Sequence, residues 1–169
     1  MSVCEQCARL QKTCCERSDV EVALTEGDII RIRRFYKAND FYRRIPVPPE
    51  LAATYENPDH HDATVSLYVA GLFDAQGRRP VLDKQADGRC LFVAGQGCVL
   101  PVEARPLLCR LYPYDWNDQR LLWIHAPYCP HVIYADEMDL VQKIGDSKEI
   151  ALNLVEQLYA ELASKGEAP

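Results

Sequence analysis

The sequence contains no uninterrupted apolar run near the roughly 18 residues a membrane-spanning helix needs, so no part of it is expected to cross a bilayer. It also lacks an excess of positive charge. Nineteen Lys/Arg stand against 25 Asp/Glu, for a net charge of −6. Phosphate binding needs a basic face, so nucleic acid is not an expected partner. The start, Met1-Ser2-Val3-Cys4-Glu5-Gln6-Cys7, has charge and cysteine where a signal peptide would be apolar, which gives a cytoplasmic expectation. Paired carboxylates, a nucleophile–base pair, a phosphate loop and a dinucleotide fingerprint are all missing, which argues against a conventional hydrolase or dehydrogenase. Internal repeats and low-complexity tracts are missing too.

Cysteine is abundant, with eight in 169 residues. Structural disulfides are rare in a reducing cytosol, so that many thiols point to metal. They fall into two groups: Cys4, Cys7, Cys14 and Cys15, and later Cys90, Cys98, Cys109 and Cys129. Cys4-x2-Cys7 has the spacing of a knuckle, a tight turn that aims two sulfurs at one ion. Cys14 and Cys15 are adjacent, and neighbouring side chains tend to diverge. This pair is therefore expected to serve two sites, or different metals of one polynuclear cluster. Each later cysteine is expected beside a turn or an element end, where backbone N–H groups can donate to thiolate sulfur. The competing readings are buried thiols that only pack, and a redox dithiol at Cys4/Cys7.

The intervening pattern suits a small α+β domain. Asp19 to Leu24 alternates like a short strand. Thr25-Glu26-Gly27-Asp28 has the spacing of a capping box and predicts a helix, with Arg31, Arg33, Arg34 and Lys37 toward its end. Ile45-Pro46-Val47-Pro48-Pro49 is read as the end of that helical region, followed by a short helix over about Pro49 to Tyr55. Strands are expected over Val65 to Leu72 and Arg79 to Leu82, with turns at Gln76-Gly77 and Asp87-Gly88. Gly95-Gln96-Gly97 breaks the apolar run that ends at Ala94. Val102 to Leu111 predicts a short helix, and Tyr112 to Trp116 with Arg120 to Ile124 a hairpin. A final helix, capped by Asp146, carries an apolar stripe of Ile150, Ala151, Leu154, Val155, Leu158 and Leu162.

Cys4-x2-Cys7-x6-Cys14-Cys15, Gly88-Arg89-Cys90-Leu91-Phe92, Gly97-Cys98-Val99-Leu100 and Arg105-Pro106-Leu107-Leu108-Cys109-Arg110-Leu111-Tyr112-Pro113 together resemble the YkgJ-like family of zinc- or iron-chelating CxxCxxCC proteins. The likeness spans roughly residues 4 to 131 and includes Leu24-Thr25 with Asp28-Ile29. The resemblance implies metal chelation by these cysteines in a small cytosolic domain, without one settled activity. It also extends to part of flagellin lysine methylase, which is associated with an iron–sulfur cluster. One departure is Val99-Leu100-Pro101, where the family pattern carries an aromatic.

The expected fold is thus a single small α+β domain, with short antiparallel strands packed against two or three helices. Metal sites would tie the N-terminal segment to the later half. Residues 1–134 form the cysteine-cluster unit, and 135–169 a C-terminal helix packed on it. All eight cysteines are candidate ligands for an iron–sulfur cluster or Zn2+. Arg105 and Arg110 flank Cys109 and are candidate cofactor-site residues, offsetting thiolate charge or holding an anion; the plainer reading is a structural salt bridge. His60, His61, His125 and His131 are set aside as ligands. Three functions stay open: a metal-binding protein, an iron–sulfur-dependent enzyme, and a thiol redox protein. Protein partners are not indicated.

Overall fold

The structure, a computed structural model, describes residues 3–47, 71–95, 97–116, 122–144 and 147–164, apart from the side chains of 3–5, 122, 123 and 137. It is an α+β fold. Five α-helices are described: α1 (Val3–Leu10), α2 (Glu26–Phe35), α3 (Leu107–Leu111), α4 (Glu137–Ile144) and α5 (Lys148–Ala163). Three antiparallel strand pairs accompany them. These are β1 (Tyr42–Pro46) with β2 (Arg78–Leu82), β3 (Val93–Ala94) with β4 (Gly97–Cys98), and β5 (Tyr114–Trp116) with β6 (Leu122–Ile124). Five helices exceed the two or three expected. No helix among the described residues is long and apolar enough to cross a membrane.

Local chemistry accounts for several of these elements. Thr25 caps α2: its hydroxyl accepts from Asp28 N–H, and Asp28 returns a bond to Thr25 N–H, each at 2.9 Å. The helix ends at Tyr36, well before the proline-rich segment, and Pro46 closes β1 rather than a helix. The expected strand over 19–24 pairs with β2 only through a bridge from Ala23 to Val81 and bonds between Leu24 N–H and Pro80 O and between Leu82 N–H and Val22 O. The expected helix over 102–111 splits in two. Pro106 disfavours helical geometry at the residue before it, and Arg105 is extended (φ −68°, ψ 144°) between a 3-10 turn (Val102–Ala104) and α3. The turns at 76–77 and 87–88 close with Gly77 N–H to Asp74 O and Gly88 N–H to Gln85 O. The helix expected over 49–55 lies outside the described residues. So does the strand expected over 65–72, save Gly71 and Leu72, which are helical.

Three apolar cores hold these pieces. The first packs Ala151, Leu154, Val155, Leu158 and Leu162 of α5 against Leu107 and Leu111 of α3, Leu72 and Ala23. Trp116 Nε1 donates to Tyr159 Oη at 3.3 Å and joins the β5–β6 hairpin to the same helix. In the second, Ile29 and Ile32 of α2 meet Phe41, Leu82, Phe92 and Leu100. The third places Cys7 of α1 with Ile133 and Leu140, beside Cys129. The N-cap of α5 is Ser147, which accepts from Ile150 N–H at 3.2 Å, in place of the expected Asp146, which lies outside the described residues.

Candidate metal centre

The folded chain brings cysteines from separate stretches of sequence into one region. Cys14 and Cys15 occupy a 3-10 turn (Cys14–Glu16), opened by Thr13, whose N–H and hydroxyl both donate to Glu16 Oε2 at 3.0 and 2.9 Å. Cys90 N–H donates to Cys15 O at 2.7 Å, so the first cysteine segment lies directly on the third. Cys98 is carried next to Cys90 by the β3–β4 pair, opposite Val93. Cys109 lies in α3, and its thiol feels the charges of Cys90, Cys14 and Cys98. Cys129 feels Cys14. Cys14 is thus the hub, within electrostatic reach of Cys15, Cys90, Cys109 and Cys129. An open pocket at this hub is lined by Cys14, Cys15 and Cys90 together with Val20, Val22, Leu82, Arg17, Asp83 and Lys84.

The sulfurs are set among donors. Cys90 accepts from the N–H groups of Phe92 and Val93, in the turn that leads into β3. Gly88, two residues before Cys90, has φ +85°, and a Cβ there would come 2.9 Å from Ser18 Cβ. Cys129 Sγ lies 3.5 Å from Tyr112 Oη. Cys14 and Cys15 bond to each other through their side chains. That bond lowers the Cys14 thiol to about 7 against the opposing effect of burial, and raises Cys15. Burial raises Cys90, Cys109 and Cys129, and neighbouring thiols add to each rise. Cys109 is exposed by accessible area, yet the protein around it is dense enough to push its thiol well above the usual range.

Other site expectations change. Cys4 and Cys7 lie in helix α1, one turn apart, instead of in a knuckle. The two-residue gap fits either geometry, because i and i+3 neighbour each other on a helix. The side chain of Cys4 lies outside the described residues, and that of Cys7 is buried in the third core. Cys109 lies in the five-residue helix α3, two residues from either end. Arg105 Nε donates to Leu100 O at 3.0 Å and braces its own loop, while no ion-pair partner for Arg110 is found among the described residues. His131 is exposed and packs its ring on Tyr134, and His60 and His61 lie outside the described residues. No group of three or more His, Cys, Asp or Glu side chains arranged to hold a metal ion is found among the described residues. The thiols among the described residues are thus neighbours without forming a finished coordination shell.

Two residues near the thiols were not expected to matter. Asp28, read only as a helix cap, is 1% exposed and accepts from Leu107 N–H, two residues before Cys109. Tyr112, read as core, contacts Cys129. Its place in the Arg-Pro-x2-Cys-Arg-x-Tyr segment was the only signal available. Neither a family model, a curated protein nor a solved structure matches the chain.

Proposed function

We propose that this chain is a cytoplasmic metal-chelating protein of the YkgJ-like kind, holding Zn2+ or an iron–sulfur cluster on its cysteine thiolates. The observation that carries this reading is the Cys90 N–H bond to Cys15 O at 2.7 Å, together with Cys15, Cys90, Cys109 and Cys129 lying within electrostatic reach of Cys14 from stretches far apart in sequence. Thiols gathered this way oppose one another's ionisation, and burial adds to the penalty. A bound cation reverses that effect, because its charge is the largest in the site and holds its sulfur ligands deprotonated. The donor set suits soft or borderline metals, being thiol-rich and served by backbone N–H groups at Cys90. Zinc would give a redox-silent anchor between the N-terminal segment and the later half, and a cluster would add electron transfer.

A thiol redox role is the second reading. It is favoured by the lowered Cys14 thiol bonded to its neighbour Cys15. One experiment separates the two. The full chain is purified without oxygen, and iron, sulfide, zinc and free thiol are counted per chain. The metal reading expects bound metal that is lost when Cys14, Cys90 or Cys109 is changed to Ser. A metal-free chain whose thiols pair reversibly as disulfides would replace it with the redox reading.

A further inference from the structure

The aromatic ring beside Cys129 has no part in the metal reading so far. Tyr112 Oη is 3.5 Å from Cys129 Sγ and also accepts from Tyr128 N–H at 3.3 Å. The tyrosine follows α3, two residues beyond Arg110 and three beyond Cys109, so it links two cysteine-bearing segments. Its partner strip is anchored from the N-terminal side as well. Gln11 Nε2 donates to Tyr128 O at 2.8 Å, and the Arg17 guanidinium sits 4.8 Å above the Tyr128 ring. The Tyr112 and Tyr128 rings stack with centroids 6.4 Å apart. The loop that presents Cys129 is therefore held by residues that flank other cysteines: Gln11, Arg17 and Tyr112.

The direction of the Tyr112 bond follows from what each atom can do. A neutral thiol could donate or accept. A thiolate can only accept, so once Cys129 is ionised the phenol must be the donor. Tyr128 N–H already donates into the phenol oxygen, which leaves the phenol proton free to point at sulfur and polarises it in that direction. We propose that Tyr112 is a positioning and tuning residue of the metal centre: its hydroxyl donates to the Cys129 thiolate, setting that ligand's orientation and electron density. This rests on the metal-chelating reading above and adds to it one ligand-directed donor outside the cysteine set.

The test compares wild type with Tyr112→Phe and Tyr128→Phe, in the full chain purified without oxygen. Tyr112→Phe keeps the stacked ring and removes only the hydroxyl, whereas Tyr128→Phe keeps the backbone N–H that matters. The probe is cobalt(II), whose thiolate charge-transfer absorption reports electron density on its sulfur ligands. Tyr112→Phe should retain the far-ultraviolet dichroism of the metal-free wild type. It should hold cobalt(II) about 10–100-fold more weakly against a chelator, the usual cost of losing a partner to a ligand, and shift the charge-transfer band. Tyr128→Phe should match wild type in both. If the chain is purified with iron and sulfide, the midpoint potential replaces the cobalt band and should fall in Tyr112→Phe, because hydrogen bonds to sulfur favour the more negative reduced state. Wild-type affinity and spectrum in Tyr112→Phe would overturn the proposal and leave the metal reading standing. A wild-type chain that takes up no metal would overturn both. Should Tyr112→Phe fail to fold, wild type with 13Cζ-labelled tyrosine gives the answer. Adding zinc should move at least one of the nine tyrosine signals, and an unchanged set would overturn the proposal.

Discussion

Asp28 Oδ1 accepts from the backbone N–H of Leu107 at 2.9 Å, joining the first turn of α2 to the first turn of the helix that carries Cys109. The same carboxylate accepts from Thr25 N–H and, at 2.5 Å, from Arg31, which continues to Glu161 on α5. Glu161 in turn accepts from the Thr25 hydroxyl and Gln157. One buried acid thus fixes three helices around the cysteine region. Gly27 leaves room for this arrangement, since a Cβ there would run into the Glu161 carboxylate.

Replacing Asp28 with Ala should be severe. It leaves Arg31 with Glu161 as its one carboxylate partner and the Leu107 and Thr25 N–H groups unpaired, at about 1–3 kcal/mol for each lost buried partner. Asp28→Asn keeps one acceptor oxygen and should lose less, about 1–3 kcal/mol. Urea unfolding of both variants measures the difference, and equal losses would show that the charge, not the acceptors, is what α3 requires.

The two acids of this network respond to pH in opposite directions. Burial would raise Glu161, but hydrogen bonds from Arg31, Thr25 and Gln157 outweigh it and hold the carboxyl below its ordinary 4.5. Glu161 therefore contributes stability that is present above 4.5 and lost as pH falls through the lowered value. Burial raises Asp28 above its ordinary 3.8, so ionising it in the fold costs some stability as pH rises through the raised value, while its hydrogen bonds remain. Glu161→Gln should be less stable than wild type near neutral pH, and should lose less on acidification. Thermal unfolding near neutrality and in acid below the glutamate range tests both points. A variant that keeps the wild-type acid slope would remove Glu161 from the account.

Helix α5 separates packing from pattern. Leu158 is 1% exposed in the first core, while Ile150, in the same apolar stripe by sequence, is 43% exposed. Leu158→Ala should lose about 2–5 kcal/mol through lost burial and a residual cavity. Ile150→Ala should stay within about 0.5 kcal/mol of wild type. Chemical unfolding midpoints distinguish the two.

The parts of this fold that were legible in sequence depend on neighbours in the chain. The Thr25–Asp28 box, the hairpin joining Tyr114–Trp116 to Leu122–Ile124 and the core stripe of α5 all follow from spacing alone. Ile150 misled because Ala151, Leu154, Val155, Leu158 and Leu162 already complete the helical period, and 150 falls beside it. Cys4-x2-Cys7 misled because its spacing fits a helical turn as well as a knuckle. The roles of Asp28 toward Leu107 and Tyr112 toward Cys129 bridge residues that no local pattern relates, so only the folded chain shows them.

Charge state and accessibility disagree about which thiol reacts first. Cys109 is exposed and Cys14 only half-buried, so access alone favours Cys109. The nucleophile is the thiolate, however. The bond from Cys15 lowers Cys14 to about 7, whereas burial and nearby thiols push Cys109 well above the ordinary 9.0. Cys14 is therefore the more readily ionised of the two at neutral pH. In the reduced, metal-free chain, iodoacetamide should label Cys14 first, and the rate should fall as the solution is acidified through about 7. Cys15→Ala removes the donor, so Cys14 should titrate higher and react more slowly at neutral pH. Peptide mapping of labelled chains follows both rates. If Cys109 is labelled ahead of Cys14, the Cys14–Cys15 bond does not hold the charge in solution.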